Sequence, residues 1–150
     1  MNKLVVMVGL PGSGKDTYIR QYLTDCKVVS SDDIRLELFG FEDQTKNVET
    51  FSEMRRRTKE LLKAGNSVVY NATNLSGKRR KSLANEMKKY CDQIWIVCMD
   101  VSLEELLKRN EFREERHVPE SKLIQMYNSF KTDFNEYPYD QITWHSWLEV

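Results

Sequence analysis

The chain starts with an apolar run at positions 4–8, rich in β-branched side chains, which predicts a strand buried on both faces. The period then changes. Ile19, Tyr22 and Leu23 share one side of a helix predicted over 15–23. Val28 and Val29 predict a second short strand, and 32–39 a short helix. Phe51, Met54, Thr58, Leu61 and Leu62 recur at helical spacing, with Gly65 as the stop. A third strand is predicted over 67–70, a helix over 76–90 with Leu83, Met87 and Tyr90 inward, and a fourth strand over 94–99. Ser102 and Glu105 form a capping-box pattern that opens a helix burying Leu103, Leu106 and Leu107. Pro119 suits the first turn of a further helix using Leu123, Met126, Tyr127 and Phe130, and 141–144 predicts a last strand. Strands alternating with helices imply a three-layer α/β fold, a parallel sheet covered on both faces. In such sheets ligands bind beyond the carboxyl ends of the strands.

The 150 residues fit one domain, 1–150, with no repeat, linker or low-complexity stretch. With 23 basic and 23 acidic residues, the net charge is zero, which argues against a histone-like binder of nucleic acid and leaves a local basic site open. Three cysteines (Cys26, Cys91, Cys98) without a CxxC spacing, and two histidines, supply no zinc cluster, so free thiols in a reducing cytosol are expected. The apolar start is too short for a signal core or a membrane span, so a soluble, cytoplasmic protein is expected.

The strongest chemical signal is the run from Gly9 through Pro11, Gly12, Ser13, Gly14, Lys15 and Asp16 to Thr17. It has GxxxxGK spacing between a predicted strand and a predicted helix, the pattern of a loop that wraps nucleotide phosphates. Glycines let the backbone curl so that N–H groups and the helix N-terminus face the phosphates, and Lys15 reaches the β- and γ-phosphates. ATP with Mg²⁺ is the ligand expected. Asp16 stands where a Ser or Thr usually meets the metal. It serves either as a hard oxygen ligand for Mg²⁺ or as a partner for the helix dipole. Thr17 either binds the α-phosphate or packs in the first turn.

After the second strand comes Ser30-Ser31-Asp32-Asp33-Ile34-Arg35. One carboxylate here, Asp32 ahead of Asp33, suits a general base for an attacking hydroxyl; the alternative is helix capping. Arg35, one turn on, suits an acceptor phosphate or else a surface ion pair. Asn71, Thr73 and Asn74 after the third strand either order a substrate or make an ordinary turn. The cations Lys78, Arg79, Arg80 and Lys81 oppose the helix dipole at a predicted helix start, and either meet a nucleic-acid strand or form a solvated face; Arg55, Arg56 and Arg57 pose the same choice. Asp100 ends a strand as a metal-water aspartate would, or sits in the turn before Ser102. Residues 109–118, with Arg109, Arg113 and Arg116, suit a lid that closes over ATP; Glu111, Glu114 and Glu115 pairing with these arginines is the plainer alternative. His117 is read as a surface residue.

The runs GLPGSGKDT, SDDIR, ATNL and KRNEFREERHVP, in this order across nearly the whole chain, resemble the kinase domain of phage 5′-polynucleotide kinases. The resemblance implies a P-loop kinase fold with a C-terminal helical lid. It implies transfer of the γ-phosphate of ATP to the 5′-OH end of DNA or RNA, in nucleic-acid repair and in the host cytoplasm. It implies Asp32 as base, Arg35 on the phosphate beside the terminal nucleoside, and Arg113 on the transferred phosphoryl. Arg109 would lie against adenine, Arg116 would support the phosphoryl, and Thr73 and Asn74 would sit near the catalytic carboxylate. Asp16, and Asn71 where an Asp is common, depart from the family pattern. No DxDGT-like motif occurs, so the resemblance does not extend to a phosphatase half. A kinase of a nucleoside, nucleotide or other small metabolite is the alternative, and a non-enzymatic nucleotide-binding module the third reading.

Overall fold

Strand β1, Lys3–Val8, is buried almost throughout because Leu4, Val6 and Val8 point to one face of the sheet and Val5 and Met7 to the other. It lies at the centre of a five-stranded sheet of order β2-β3-β1-β4-β5, where β2 is Lys27–Ser30, β3 Val68–Asn71, β4 Gln93–Met99 and β5 Gln141–His145. Every pairing is parallel, including the terminal β4–β5 pair (Trp95↔Gln141 to Met99↔His145). A computed structural model describes residues 1–40, 44–113, 117–132 and 137–146. The helices are α1 (Lys15–Tyr22), α2 (Ser31–Phe39), α3 (Asn47–Lys63), α4 (Gly77–Met87), α5 (Leu103–Glu111) and α6 (Glu120–Thr132).

The two faces are covered unequally. Ile34, Met54, Leu83, Leu106 and Leu123, from α2 to α6, share one core with Leu4, Val6 and Val8. Ile19 and Leu23, from α1 and its C-terminal cap, meet Val5, Met7, Val97 and Met99 on the opposite face. Tyr22, expected to point inward, is 56% exposed. Ile19 and Leu23 lie one helical turn apart and define the buried stripe. Tyr22 falls off it, beside Tyr18 at 4.8 Å between ring centroids. Tyr90 lies past the end of α4, in a 3₁₀ turn, and is half-buried.

Ser102 caps α5 as expected, its hydroxyl accepting from the Glu105 N–H at 3.2 Å. Asp100 belongs to the β4–β5 edge: its N–H donates to the His145 carbonyl and its carboxylate pairs with Lys131 at 3.1 Å. Burial pushes the Cys98 thiol up to about 12 and the Cys26 thiol up to about 11, so neither is a ready nucleophile. Among the described residues no helix is long and apolar enough to cross a membrane.

Candidate active site

The loop after β1 turns where side chains do not fit. A Cβ on Gly9 would meet the Ser13 Oγ at 2.6 Å and the Met99 Cβ at 3.0 Å. Gly12 and Gly14 have φ of 84° and 92°, conformations that cost little only for glycine. Gly14 is the N-cap of α1, so the helix N-terminus opens onto this loop. The Gly9 N–H donates to the Thr73 carbonyl at 3.1 Å and ties the loop to the segment after β3.

A cavity of about 780 Å³ extends from this loop across the carboxyl ends of β1, β2 and β3 to α3 and α6. Among the described residues its walls carry the cations Lys15, Arg20, Arg35, Arg109, Arg113 and Lys122 against the carboxylates Asp16 and Asp32. A chain of zero net charge thus concentrates a cationic surplus in one cleft, as a polyphosphate requires.

Lys15 Nζ donates to the carbonyls of Gly9 at 2.7 Å and Leu10 at 3.2 Å. Burial pushes its ammonium down to about 8; Asp32 and Asp16 pull against this shift, and Arg113 adds to it. Asp32 does not cap α2. The N-cap is Ser30, which makes no side-chain cap bond, and Asp32 Oδ1 instead accepts from Arg35 Nη1 at 3.2 Å. Arg35 is buried, and its other terminal nitrogen donates to Asn47 Oδ1 at 2.8 Å. The surface ion pair weighed for Arg35 is therefore a half-buried one, its guanidinium buried and the Asp32 carboxylate open to the cavity, with Asn47 fixing the guanidinium in place.

Of the other residues singled out in the sequence, Pro11, Gly12, Ser13, Gly14, Asp16, Thr17, Thr73, Arg109 and Arg113 line this cavity. Thr17 Oγ1 accepts from Arg20. Arg109 Nη1 donates to the Gly12 carbonyl at 2.9 Å, and Arg113 Nη1 lies 3.3 Å from where a Gly12 Cβ would be, so both arginines rest on the phosphate loop. Asp33 faces a smaller cavity of about 200 Å³ on the far side of Asp16. Asn74 does not line the large cavity. Its amide is spent on the carbonyls of Met7, Tyr70 and Ala72, in a left-handed turn with φ 50°. Arg116, Glu114 and Glu115 lie outside the described residues.

The basic runs divide. Arg80 is buried and donates to the Asn74 carbonyl at 2.7 Å, whereas Lys78, Arg79 and Lys81 are exposed. Arg55 pairs with Glu86, Arg56 with Glu53 and Glu60, and Arg57 with Glu37, so that run forms an exposed ion-paired face.

Sequence reasoning missed several residues. Asn110, near the end of α5, is tied to Val118: its amide donates to the Val118 carbonyl at 2.7 Å and its Oδ1 accepts from the Val118 N–H. The signal was there, since Asn110 continues the apolar stripe of Leu103, Leu106 and Leu107 in α5. Phe51, Lys122 and Met126 also line the cavity, and Asn71 is the buried last residue of β3 rather than part of the turn after it.

A family model described as an AAA domain matches residues 4–132. A putative bifunctional polynucleotide kinase/RNA ligase of Autographa californica nuclear polyhedrosis virus is 32% identical over 133 residues, 76% of this chain and 18% of that protein. An L-seryl-tRNA(Sec) kinase of Methanococcus maripaludis is 28% identical over 91% of this chain and 56% of its own length. The chain therefore spans less than two thirds of the length of either of these curated relatives. Among solved structures, one chain of a Pnkp1/Rnl/Hen1 RNA repair complex matches 87% of this chain and 44% of its own length, with TM-score 0.77 and 26% identity. Chaetomium thermophilum Kti12, solved with ADP-AlF3, shares the fold at TM-score 0.73 and 16% identity, over 96% of this chain and 89% of its own. The chain belongs to the AAA-domain family and has the P-loop kinase fold.

Proposed function

We propose that this domain transfers the γ-phosphoryl of ATP to the 5′-hydroxyl of a DNA or RNA end. One observation carries the reading: a single cavity holds the phosphate loop with Lys15 at one end and the Asp32–Arg35 pair at the other. The loop's N–H groups, the start of α1 and Lys15 bind the phosphates of the nucleotide. Asp32 accepts the proton of the attacking hydroxyl, and its bond from Arg35 aims the carboxylate. Arg35 is the acceptor-phosphate contact, with Asn47 holding the guanidinium in place. Arg113 and Lys15 stabilise charge on the transferred phosphoryl, with Arg116 as a further cation from the lid. Thr73 lines the path between the two ends.

The donor set fits Mg²⁺. Asp16 supplies a carboxylate within the cavity, and among the described residues no three His, Cys, Asp or Glu side chains gather into a self-sufficient metal site. That composition suits an ion held chiefly by phosphates and water. When bound, Mg²⁺ neutralises phosphate charge.

A kinase of another hydroxyl acceptor is the second reading, favoured by the similarity to an L-seryl-tRNA(Sec) kinase over 91% of the chain. The mechanism is tested by two variants. Asp32→Asn lowers kcat about 10²–10⁴-fold with the ATP Kd unchanged, and Arg35→Ala raises chiefly the KM for the acceptor. Full turnover by Asp32→Asn, or an Arg35→Ala effect confined to the ATP KM, contradicts the assignment.

A further inference from the structure

Three ammonium groups crowd one aromatic ring away from the cavity. Lys59 and Lys63 of α3 and Lys89 of the turn after α4 bring their Nζ atoms to 5.4, 6.0 and 5.2 Å from the centre of the Tyr90 ring. Burial raises the Tyr90 phenol, but Lys59 and Lys89 outweigh it and hold the phenol below its ordinary value. The platform is fixed: the amide of Asn2 donates to the Tyr90 carbonyl at 3.0 Å and to the Leu62 carbonyl of α3 at 3.1 Å. Asn2 and Tyr90 precede β1 and β4, so the cluster lies at the amino end of the sheet, whereas the cavity lies at the carboxyl end.

Lys59 and Lys63 are like charges four residues apart on a helix, an arrangement that repels. Among the described residues no carboxylate pairs with either of them or with Lys89. The arginines of the same helix are all paired, Arg55 with Glu86, Arg56 with Glu53 and Glu60, and Arg57 with Glu37. Glu60, next to Lys59 in the chain, is thus spent on Arg56. A chain of zero net charge therefore leaves one patch whose balance has to come from an outside anion.

Its position says which anion. Phe51, Arg55, Lys59 and Lys63 follow at four-residue spacing along one ridge of α3. Phe51 lines the cavity, and Arg55 between is neutralised by Glu86. Lys59 and Lys63 lie about 12 and 18 Å along the helix from Phe51, at about 1.5 Å per residue. At about 3.4 Å per phosphate that offset is roughly four or five phosphates of a strand. We propose that Lys59, Lys63 and Lys89 bind the phosphate backbone of a base-paired stem adjoining the 5′-hydroxyl end held in the cavity. This rests on the polynucleotide-kinase reading and adds a preference for structured acceptors. A duplex is stiff over far more than this distance, so its phosphates stand at a fixed offset from its end and match two sites joined by one helix. A flexible single strand crosses a neutral interval between the sites and gives up its freedom to reach the second.

The test compares a hairpin carrying a four-nucleotide 5′-OH overhang with the same overhang as a free tetranucleotide. In the triple variant Lys59→Gln, Lys63→Gln, Lys89→Gln, the KM for the hairpin rises at least fivefold with kcat unchanged, while the KM values for the tetranucleotide and for ATP stay within twofold of wild type. Fluorescence anisotropy of labelled hairpin shows the same loss of affinity. The plot of log affinity against log salt is steeper for the hairpin than for the tetranucleotide by about 2–3 in wild type, and the variant removes that difference. Replacing all three lysines by arginine keeps hairpin binding within twofold. Lys89→Glu alone, on the exposed turn, moves the same readouts in the same direction should the triple variant not fold. Equal KM changes for the two acceptors, or no change for the hairpin, would overturn the proposal. So would a polyglutamate peptide that binds wild type and not the triple variant while hairpin binding persists, which would give the patch to an acidic protein segment. Wild type that binds the hairpin through these lysines and phosphorylates neither acceptor would overturn the kinase reading instead.

Discussion

Lys15 is held in a place that disfavours its own charge. The gap between about 8 and the ordinary lysine value near 10.4 amounts to roughly 3 kcal/mol of native-state destabilisation at neutral pH. Lys15→Met removes that penalty and also the two bonds to the Gly9 and Leu10 carbonyls, worth about 1 kcal/mol each. The nucleotide-free variant is therefore more stable than wild type at pH 7 by about 1 kcal/mol, which for a chain of this length raises Tm by about 2–4 °C. The sign reverses with pH. Between about 8 and 10.4 the unfolded chain holds a proton that the folded one has released, so wild-type stability climbs with pH in that window. The lost carbonyl bonds then leave Lys15→Met the less stable protein near pH 10. MgATP stabilises wild type and leaves the variant's Tm unmoved. Thermal unfolding at pH 7 and 10, with and without MgATP, reads all of this. A variant less stable than wild type at pH 7, or a difference that does not change with pH, refutes the reasoning.

Arg80→Met leaves the Asn74 carbonyl without its buried donor and costs about 1–3 kcal/mol by chemical denaturation, whereas Lys81→Ala stays within about 0.5 kcal/mol. Equal stability of the two variants would remove Arg80 from the support of the β3 loop. If one or two acceptor phosphates are gripped, the plot of log affinity against log salt for a 5′-OH single strand has a slope no steeper than about −2. A steeper slope would mean that the exposed Lys78, Arg79 and Lys81 extend the contact along the strand.

The strand–helix order and the phosphate loop were legible because they rest on local physics: β-branched runs, glycine turns and a capping serine. Helical period also distinguishes the members of the basic run. Arg80 precedes Leu83, Ala84 and Met87 by three, four and seven positions, which puts it on the buried side of α4 among exposed cations. The same arithmetic places Asn110 on the apolar side of α5. The bond from Arg35 to Asn47 was not legible, because it joins two helices separated by a segment without periodicity. Nor were Phe51 and Met126, whose spacing marks them as core residues while their place in the fold opens them onto the cavity. Asn71 stood out in the sequence only as a departure from the family pattern. Its bond to the Asp16 carboxylate emerges only where β3 and α1 meet.

The central claim, that the Asp32–Arg35 end of the cavity takes a polynucleotide 5′-hydroxyl, is tested most directly by offering ATP labelled in its γ-phosphate with a panel of acceptors. The panel holds 5′-OH oligonucleotides of DNA and RNA, nucleosides, nucleotides and seryl-tRNA. Label on the oligonucleotide 5′-end, lost in Asp32→Asn, is the result predicted. Label on a small metabolite or seryl-tRNA with the oligonucleotides untouched would contradict it.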